Sequence, residues 1–163
     1  MLGRVWIDSR TIQPGDLFVA IRGERFDGHA YAVDALAHGA AGAVVETVPA
    51  GGEAAPGSGP VVIQVEDTTR ALQDLARSVR RRSGAKVVAI TGSAGKTTTK
   101  EVTADFLSSR YRVFRNKGNL NNHIGLPLSL IELRDQPDVA VVELGMNHPG
   151  EIRTLVGIAE PEV

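Results

Sequence analysis

One segment constrains this chain more than any other: Val87-Val88-Ala89-Ile90-Thr91-Gly92-Ser93-Ala94-Gly95-Lys96-Thr97-Thr98-Thr99-Lys100-Glu101. It reads as an apolar strand, a tight loop punctuated by two glycines, and a helix opened by Lys-Thr-Thr. Small residues at such a turn let successive backbone N–H groups curl around phosphate oxygens, and the helix N-terminus adds unpaired donors and a positive dipole end. The chemistry assigns Gly92, Ser93, Ala94, Gly95, Lys96, Thr97 and Thr98 to a nucleotide's phosphates. Lys96 is expected at the β- and γ-phosphates, the Thr97 hydroxyl on Mg²⁺, and Thr98 on a neighbouring phosphate. The loop has the form G-x-x-G-K-T-T, shorter than the strict G-x-x-x-x-G-K-[ST] pattern, because Ile90 stands five residues before Gly95.

The surrounding sequence supplies the frame such a loop needs. Strand 86–91, helix 96–108, strand 112–115, an Asn-rich loop, helix 124–133, strand 139–144 and helix 149–158 form a βαβ series. Its strands are continuous apolar runs, as in a parallel sheet covered on both faces and joined by right-handed crossovers. Ligands then belong at the strands' C-terminal ends. Glu143 ends strand 139–144, where a carboxylate beside the phosphate loop can hold Mg²⁺ bridging ATP phosphates. At Pro161-Glu162-Val163 a further strand is expected to begin, leaving this second domain unfinished.

The first half has a different character. Short β-branched runs at 5–7, 17–21, 43–45 and 61–65 are separated by turn residues such as Pro14-Gly15-Asp16, with a helix expected over 29–38 before Gly39. Residues 49–60 hold Gly, Pro, Ala and Ser with nothing to bury and read as a mobile surface loop. Asp67 is placed to cap a helix over 68–82, whose Leu72, Leu75, Ala76 and Val79 form an inward stripe. The basic run Arg80-Arg81-Arg82 in its last turn suits the helix dipole and is expected to face water. Ser83-Gly84-Ala85 breaks the pattern, so the domain boundary is expected between 84 and 85. The fold class that results is α/β: a small mixed α/β domain over 1–84, then a truncated parallel-sheet phosphate-loop domain over 85–163.

Composition removes several function classes. The 163 residues carry 18 Lys and Arg against 19 Asp and Glu, so a formal charge of −1 provides no global field for nucleic acid or an anionic membrane. Cysteine is absent, which excludes disulfides and thiolate metal sites. The start Met1-Leu2-Gly3-Arg4 leads into no apolar signal core, and no run approaches the roughly 18 apolar residues of a membrane span, so a cytoplasmic location is expected. His29, His38, His123 and His148 lack paired zinc spacing and are expected to make hydrogen bonds at loops and helix ends. Trp6 fits an apolar strand pattern and is expected in the core.

Three stretches carry a resemblance: the short phosphate loop T-G-S-A-G-K-T-T-T-K-E, the run G-N-L-N-N-H-I-G-L-P-L-S-L over 118–130, and E-L-G-M-N-H-P-G-E-I over 143–152. Together they resemble the Mur ligase family, ATP-dependent enzymes that lengthen the peptide of peptidoglycan precursors, and most of all its member that adds D-alanyl-D-alanine. The segment D-S-R-T-I-Q-P-G-D-L-F-V-A-I-R-G-E-R-F-D-G-H over 8–29 is similar to the family's UDP-binding domain.

The resemblance implies that residues 1–84 recognise a UDP-sugar and that 85–163 bind ATP and Mg²⁺. Lys96 would stabilise the transferring phosphoryl group, Thr97 and Glu143 would hold the metal, and Asn121 and Asn122 would meet the UDP-sugar. Ser9 and Arg10 are the candidates for the UDP end, Arg10 because a guanidinium forks onto phosphate oxygens; a surface salt bridge is its alternative. The implied substrates are UDP-N-acetylmuramoyl-tripeptide and D-alanyl-D-alanine, joined through an acyl phosphate. Family members continue into domains with further metal ligands and the amine site, so these residues alone are expected to be inactive. Two other readings stay open: another amide ligase of the superfamily, such as the diamino-acid-adding or folate-polyglutamate type, and a phosphate-loop module or kinase that forms no amide bond.

Overall fold

The computed structural model describes residues 2–23, 26–49 and 59–163. Most of the segment expected as a mobile loop, residues 50–58, lies outside the described residues. The chain divides into two compact units, Met1–Ala71 and Leu72–Val163.

In the first unit, strands β1 (Val5–Trp6), β2 (Leu17–Val19), β3 (Gly42–Val45) and β4 (Val61–Gln64) form a parallel sheet in sequential order. The inner strands are buried throughout, matching their unbroken apolar sequence, whereas the edge strand β4 exposes Val61 and Ile63. Helix α1 (Ala32–Ala37), entered through a 3₁₀ turn at Gly28–Tyr31, places Ala32 and Ala35 against Phe18, Ala43 and Val45. Asp16 fixes the turn before β2. Its buried carboxylate accepts from the Arg4 amide at 2.8 Å, the Arg4 guanidinium at 2.6 Å and the Gln13 amide at 3.0 Å. Burial pushes this carboxyl up, but those bonds outweigh burial and hold it below the usual aspartate range.

Helix α2 (Thr68–Ser83) starts at the expected cap: Asp67 Oδ1 accepts from the Arg70 amide at 2.9 Å. Leu72 and Ala76 are buried as the stripe requires, while Leu75 is exposed. The compact units part inside this helix, at 71/72, where the sequence pattern places the break at 84/85. A buried arginine joins the end of this helix to the rest of the second unit. Arg80 is only 8% exposed and donates to the carbonyls of Ala159 at 2.8 Å, Ala85 at 3.0 Å and Glu160 at 2.8 Å, and to the Glu162 carboxylate at 3.0 Å. The water-facing expectation therefore fails for Arg80, whose fork satisfies carbonyls that end α5; Arg81 and Arg82 do reach solvent.

In the second unit, β5 (Lys86–Ile90), β6 (Val113–Arg115) and β7 (Val139–Glu143) form a parallel sheet in the order β5-β7-β6. Central β7 is buried at every position. Helix α3 (Lys96–Ser108) packs Ala104 against Val139 and Val141, with Val88, Ile90, Leu107 and Val113 around them. Helices α4 (Gly125–Ile131) and α5 (Glu151–Ala159) complete the unit. Residues 161–163 are not a strand, yet the Glu162 amide donates to Val87 O and the Ala89 amide to Val163 O, so this segment runs along β5. Ile90 pairs with Glu143, and that register brings the loops after β5, β6 and β7 to one end of the sheet.

Candidate functional site

The loop after β5 turns into α3 at Gly95, whose φ of 76° is left-handed and strains any residue with a Cβ. The exposed stretch Gly92–Gly95 presents its backbone at the helix N-terminus. Lys96 folds back across it, its ammonium donating to Gly92 O at 2.8 Å. Thr97 is the next residue, and its hydroxyl donates to Glu143 Oε2 at 2.8 Å. Thr98 is exposed on the same first turn. The sequence motif and the acidic strand end, 46 positions apart, thus meet directly.

Glu143 is 4% exposed. Asn121 donates its amide to Oε1 at 2.8 Å, so both carboxylate oxygens are held by neutral donors, and among the described residues no cationic side chain lies within ion-pairing distance. A buried carboxylate with that surrounding retains capacity for a cation. Among the described residues no three His, Cys, Asp or Glu side chains gather to cage a metal. Magnesium needs no such cage, because one or two protein oxygens plus phosphates and water complete its shell. Glu143 and the Thr97 hydroxyl therefore fit Mg²⁺ beside bound phosphates.

The Asn-rich loop serves this centre in a way its composition does not announce. Asn121 also accepts from the Gly145 amide at 2.8 Å, and a Cβ at Gly145 would lie 2.8 Å from the Asn121 side chain. The close approach keeps Asn121 on Glu143. Asn122 is exposed and braces the turn into α4, its Oδ1 accepting from the amides of Ile124 at 3.1 Å and Gly125 at 2.7 Å. Two buried groups escaped the sequence reading altogether: Asn116, which accepts from the Glu143 amide at 3.0 Å, and Lys100, which donates to Asn116 O at 2.7 Å.

Ser9 and Arg10 lie in the first unit, on the rim of a cavity of about 380 Å³ also lined by Ile7, Phe18, Phe26 and Tyr31. Phe26 and Tyr31 are 72% and 42% exposed, an aromatic surface open to a flat ring. Arg10 is paired bidentately with Asp8, at 2.9 and 2.7 Å, which holds the Asp8 carboxyl below its ordinary range and raises Arg10. The salt-bridge alternative is thus present, at the mouth of the cavity. Trp6 is half-buried, donates to Thr11 Oγ1 at 2.8 Å and carries the Arg4 guanidinium 5.1 Å above its ring; it does not line the cavity. His29 bridges Asp27 and the Glu46 amide, and His38 meets Asp34 O, the loop and helix-end roles expected of them.

Comparison with known proteins decides the family. The model described as "Mur ligase family, catalytic domain" matches residues 3–80, and the one described as "Mur ligase middle domain" matches residues 90–163. The chain belongs to the Mur ligase family. Curated Mur relatives named UDP-N-acetylmuramoyl-tripeptide–D-alanyl-D-alanine ligase include those of Escherichia coli, 46% identical over 99% of this chain, and Bacillus subtilis, 40% identical over 95%. The match covers 34% and 33% of those relatives, so the chain spans about a third of their length. Among solved Mur ligases, the Acinetobacter baumannii D-alanyl-D-alanyl ligase superposes with a TM-score of 0.86 at 40% identity, over 98% of this chain and 34% of that one. The Thermotoga maritima MurF ligase, solved in complex with ADP, gives 0.80 at 37% identity, over 97% and 35%.

Proposed function

We propose that this chain belongs to an ATP-dependent ligase that adds D-alanyl-D-alanine to UDP-N-acetylmuramoyl-tripeptide. In this reading residues 1–84 recognise the UDP-sugar and residues 85–163 bind ATP. The carrying observation is the assembly of Thr97, Glu143 and Asn121 on the phosphate loop, in a chain whose relatives bear that name.

The chemistry follows from the barrier to amide formation. A carboxylate is anionic and lacks a leaving group, so an amine cannot displace its oxygen. Transfer of the γ-phosphoryl group from ATP to the tripeptide carboxylate gives an acyl phosphate and ADP. The amine of D-alanyl-D-alanine then attacks the acyl carbon, the C–N bond forms, and inorganic phosphate departs with the C–O bond electrons while the amine loses a proton.

The loop backbone and the α3 N-terminus bind the phosphates, and Lys96 swings from Gly92 O onto the phosphoryl oxygens, where its charge counts most in the transition state. Thr97 and Glu143 would hold Mg²⁺, whose charge would offset that of the phosphates. Asn121 keeps Glu143 oriented, and the exposed amide nitrogen of Asn122 offers a donor to substrate oxygens. In the other unit, Phe26 and Tyr31 suit a uracil face, and Ser9 and Arg10 the adjoining diphosphate. Among the described residues no helix is long and apolar enough to cross a membrane, and the cytoplasm, where ATP and UDP-linked precursors meet, is the proposed location.

The test is an amide-bond assay on the whole protein that carries these residues, with ATP, Mg²⁺, UDP-N-acetylmuramoyl-tripeptide and D-alanyl-D-alanine. Pentapeptide and phosphate should appear in equal amounts, and only when all four are present. ATP consumption without need of the amine would identify a kinase. A diamino acid accepted in place of the dipeptide would assign the neighbouring ligase.

A further inference from the structure

We propose that Lys100 and Asn116 form a positioning relay behind the phosphate loop, setting the Glu143 carboxylate for its divalent cation; this rests on the ATP and Mg²⁺ reading above. Lys100 lies one turn beyond Lys96 and Thr97 on α3, and is 1% exposed. Packing alone would favour an apolar side chain there, because burying an ammonium sacrifices its hydration. The cation is instead spent on two fixed partners, Asn116 O at 2.7 Å and the Glu101 carboxylate at 3.0 Å. Glu101 is in turn held by Arg115 of β6 at 2.6 Å, so both partners tie α3 to the end of that strand.

Asn116 carries the tie onward. Also 1% exposed, it uses both ends of its amide: Oδ1 accepts from the Glu143 amide at 3.0 Å, and Nδ2 donates to Leu120 O at 2.9 Å. It thereby fixes the end of β7 to the Asn-rich loop, one residue before Asn121. The two donors on the Glu143 carboxylate come from the elements so joined, Thr97 from α3 and Asn121 from the loop. Lys100 touches neither metal nor phosphate; it acts by fixing what holds the ligand. Outer partners of this kind orient a metal's ligands and are worth about 10–100-fold in its affinity.

The test uses Lys100→Met, which keeps the buried stem and removes the charge, in the whole protein. Calorimetric titration with ADP over a range of Mg²⁺, with thermal unfolding alongside, separates metal positioning from general loosening. The Mg²⁺ concentration at half-effect should rise about tenfold, with ADP affinity in the absence of Mg²⁺ unchanged. In metal-free protein the Glu143 amide should exchange faster. A folded variant with the wild-type Mg²⁺ midpoint and wild-type exchange at Glu143 overturns the relay. Should Lys100→Met not fold, Asn116→Ser, too short to span Glu143 and Leu120, carries the same prediction and the same refutation. Wild-type ADP binding that ignores Mg²⁺ would overturn the metal reading beneath the relay as well as the relay.

Discussion

Arg10 and Lys96 are both cations at candidate phosphate sites, yet their surroundings differ in kind. The Arg10 side chain is 85% exposed and its partner, Asp8, is two residues away, so the pair needs little of the fold. Lys96 opens a 13-residue helix, spans a loop fixed by a left-handed glycine, and adjoins a threonine bonded to a carboxylate 46 positions on. In the proposed function, the first site selects by cavity shape and aromatic surface, with charge as a screened accessory. In the proposed function, the second sets its charge at a backbone loop and helix N-terminus fixed by the fold, beside the buried Glu143.

Three substitutions in the whole protein put that contrast at risk. Lys96→Ala has the largest expected effect: ligation should fall by at least about a hundredfold, with circular dichroism unchanged. Near-normal turnover would remove the lysine from the chemistry. Glu143→Gln keeps shape and the bond from Thr97 but removes the charge, so the Mg²⁺ needed for half-maximal activity should rise about tenfold or more. An unchanged Mg²⁺ titration would leave Glu143 a structural residue only. Arg10→Ala should raise KM for the UDP-substrate by no more than about fivefold, an effect that fades with added salt. A loss there comparable to that in Lys96→Ala would mean that the two sites work alike and that the contrast is wrong.

The parts of this molecule that were legible in the sequence are those set by local chemistry. Helix α3 has the expected ends, Lys96–Ser108, because a glycine loop starts it and periodicity carries it. The Asp67 cap and the approach of Glu143 to the phosphate loop also follow from short-range pattern and strand order. What was not legible depends on partners far along the chain. Nothing beside Arg80 announces that it will meet carbonyls 79 and 80 positions away, so a basic last turn resembles a solvated one. Lys100 sits among polar helix residues that look like a wet face, and Asn116 looks like one more turn asparagine; only the fold reveals that both are buried. Asn121 and Asn122 are neighbours of one type, yet one bonds a buried carboxylate and the other braces the turn into a helix.

The strand order β5-β7-β6 has a consequence in time. The strand between the other two is the last of the three to be synthesised, so Thr97 and Asn121 emerge before Glu143, the carboxylate on which both converge. Pairing over such separations forms slowly, since chain closure precedes its reward. At about 5–20 residues per second, the stretch from Thr91 to Glu143 takes roughly 3–10 s to translate. Through that interval β5 and β6 both await their shared neighbour. When β7 docks, sheet pairing, the Thr97 and Asn121 bonds to the Glu143 carboxylate and the Asn116 bond to its amide become available together, so a nascent chain arrested before it holds β5 and β6 without the strand that pairs them.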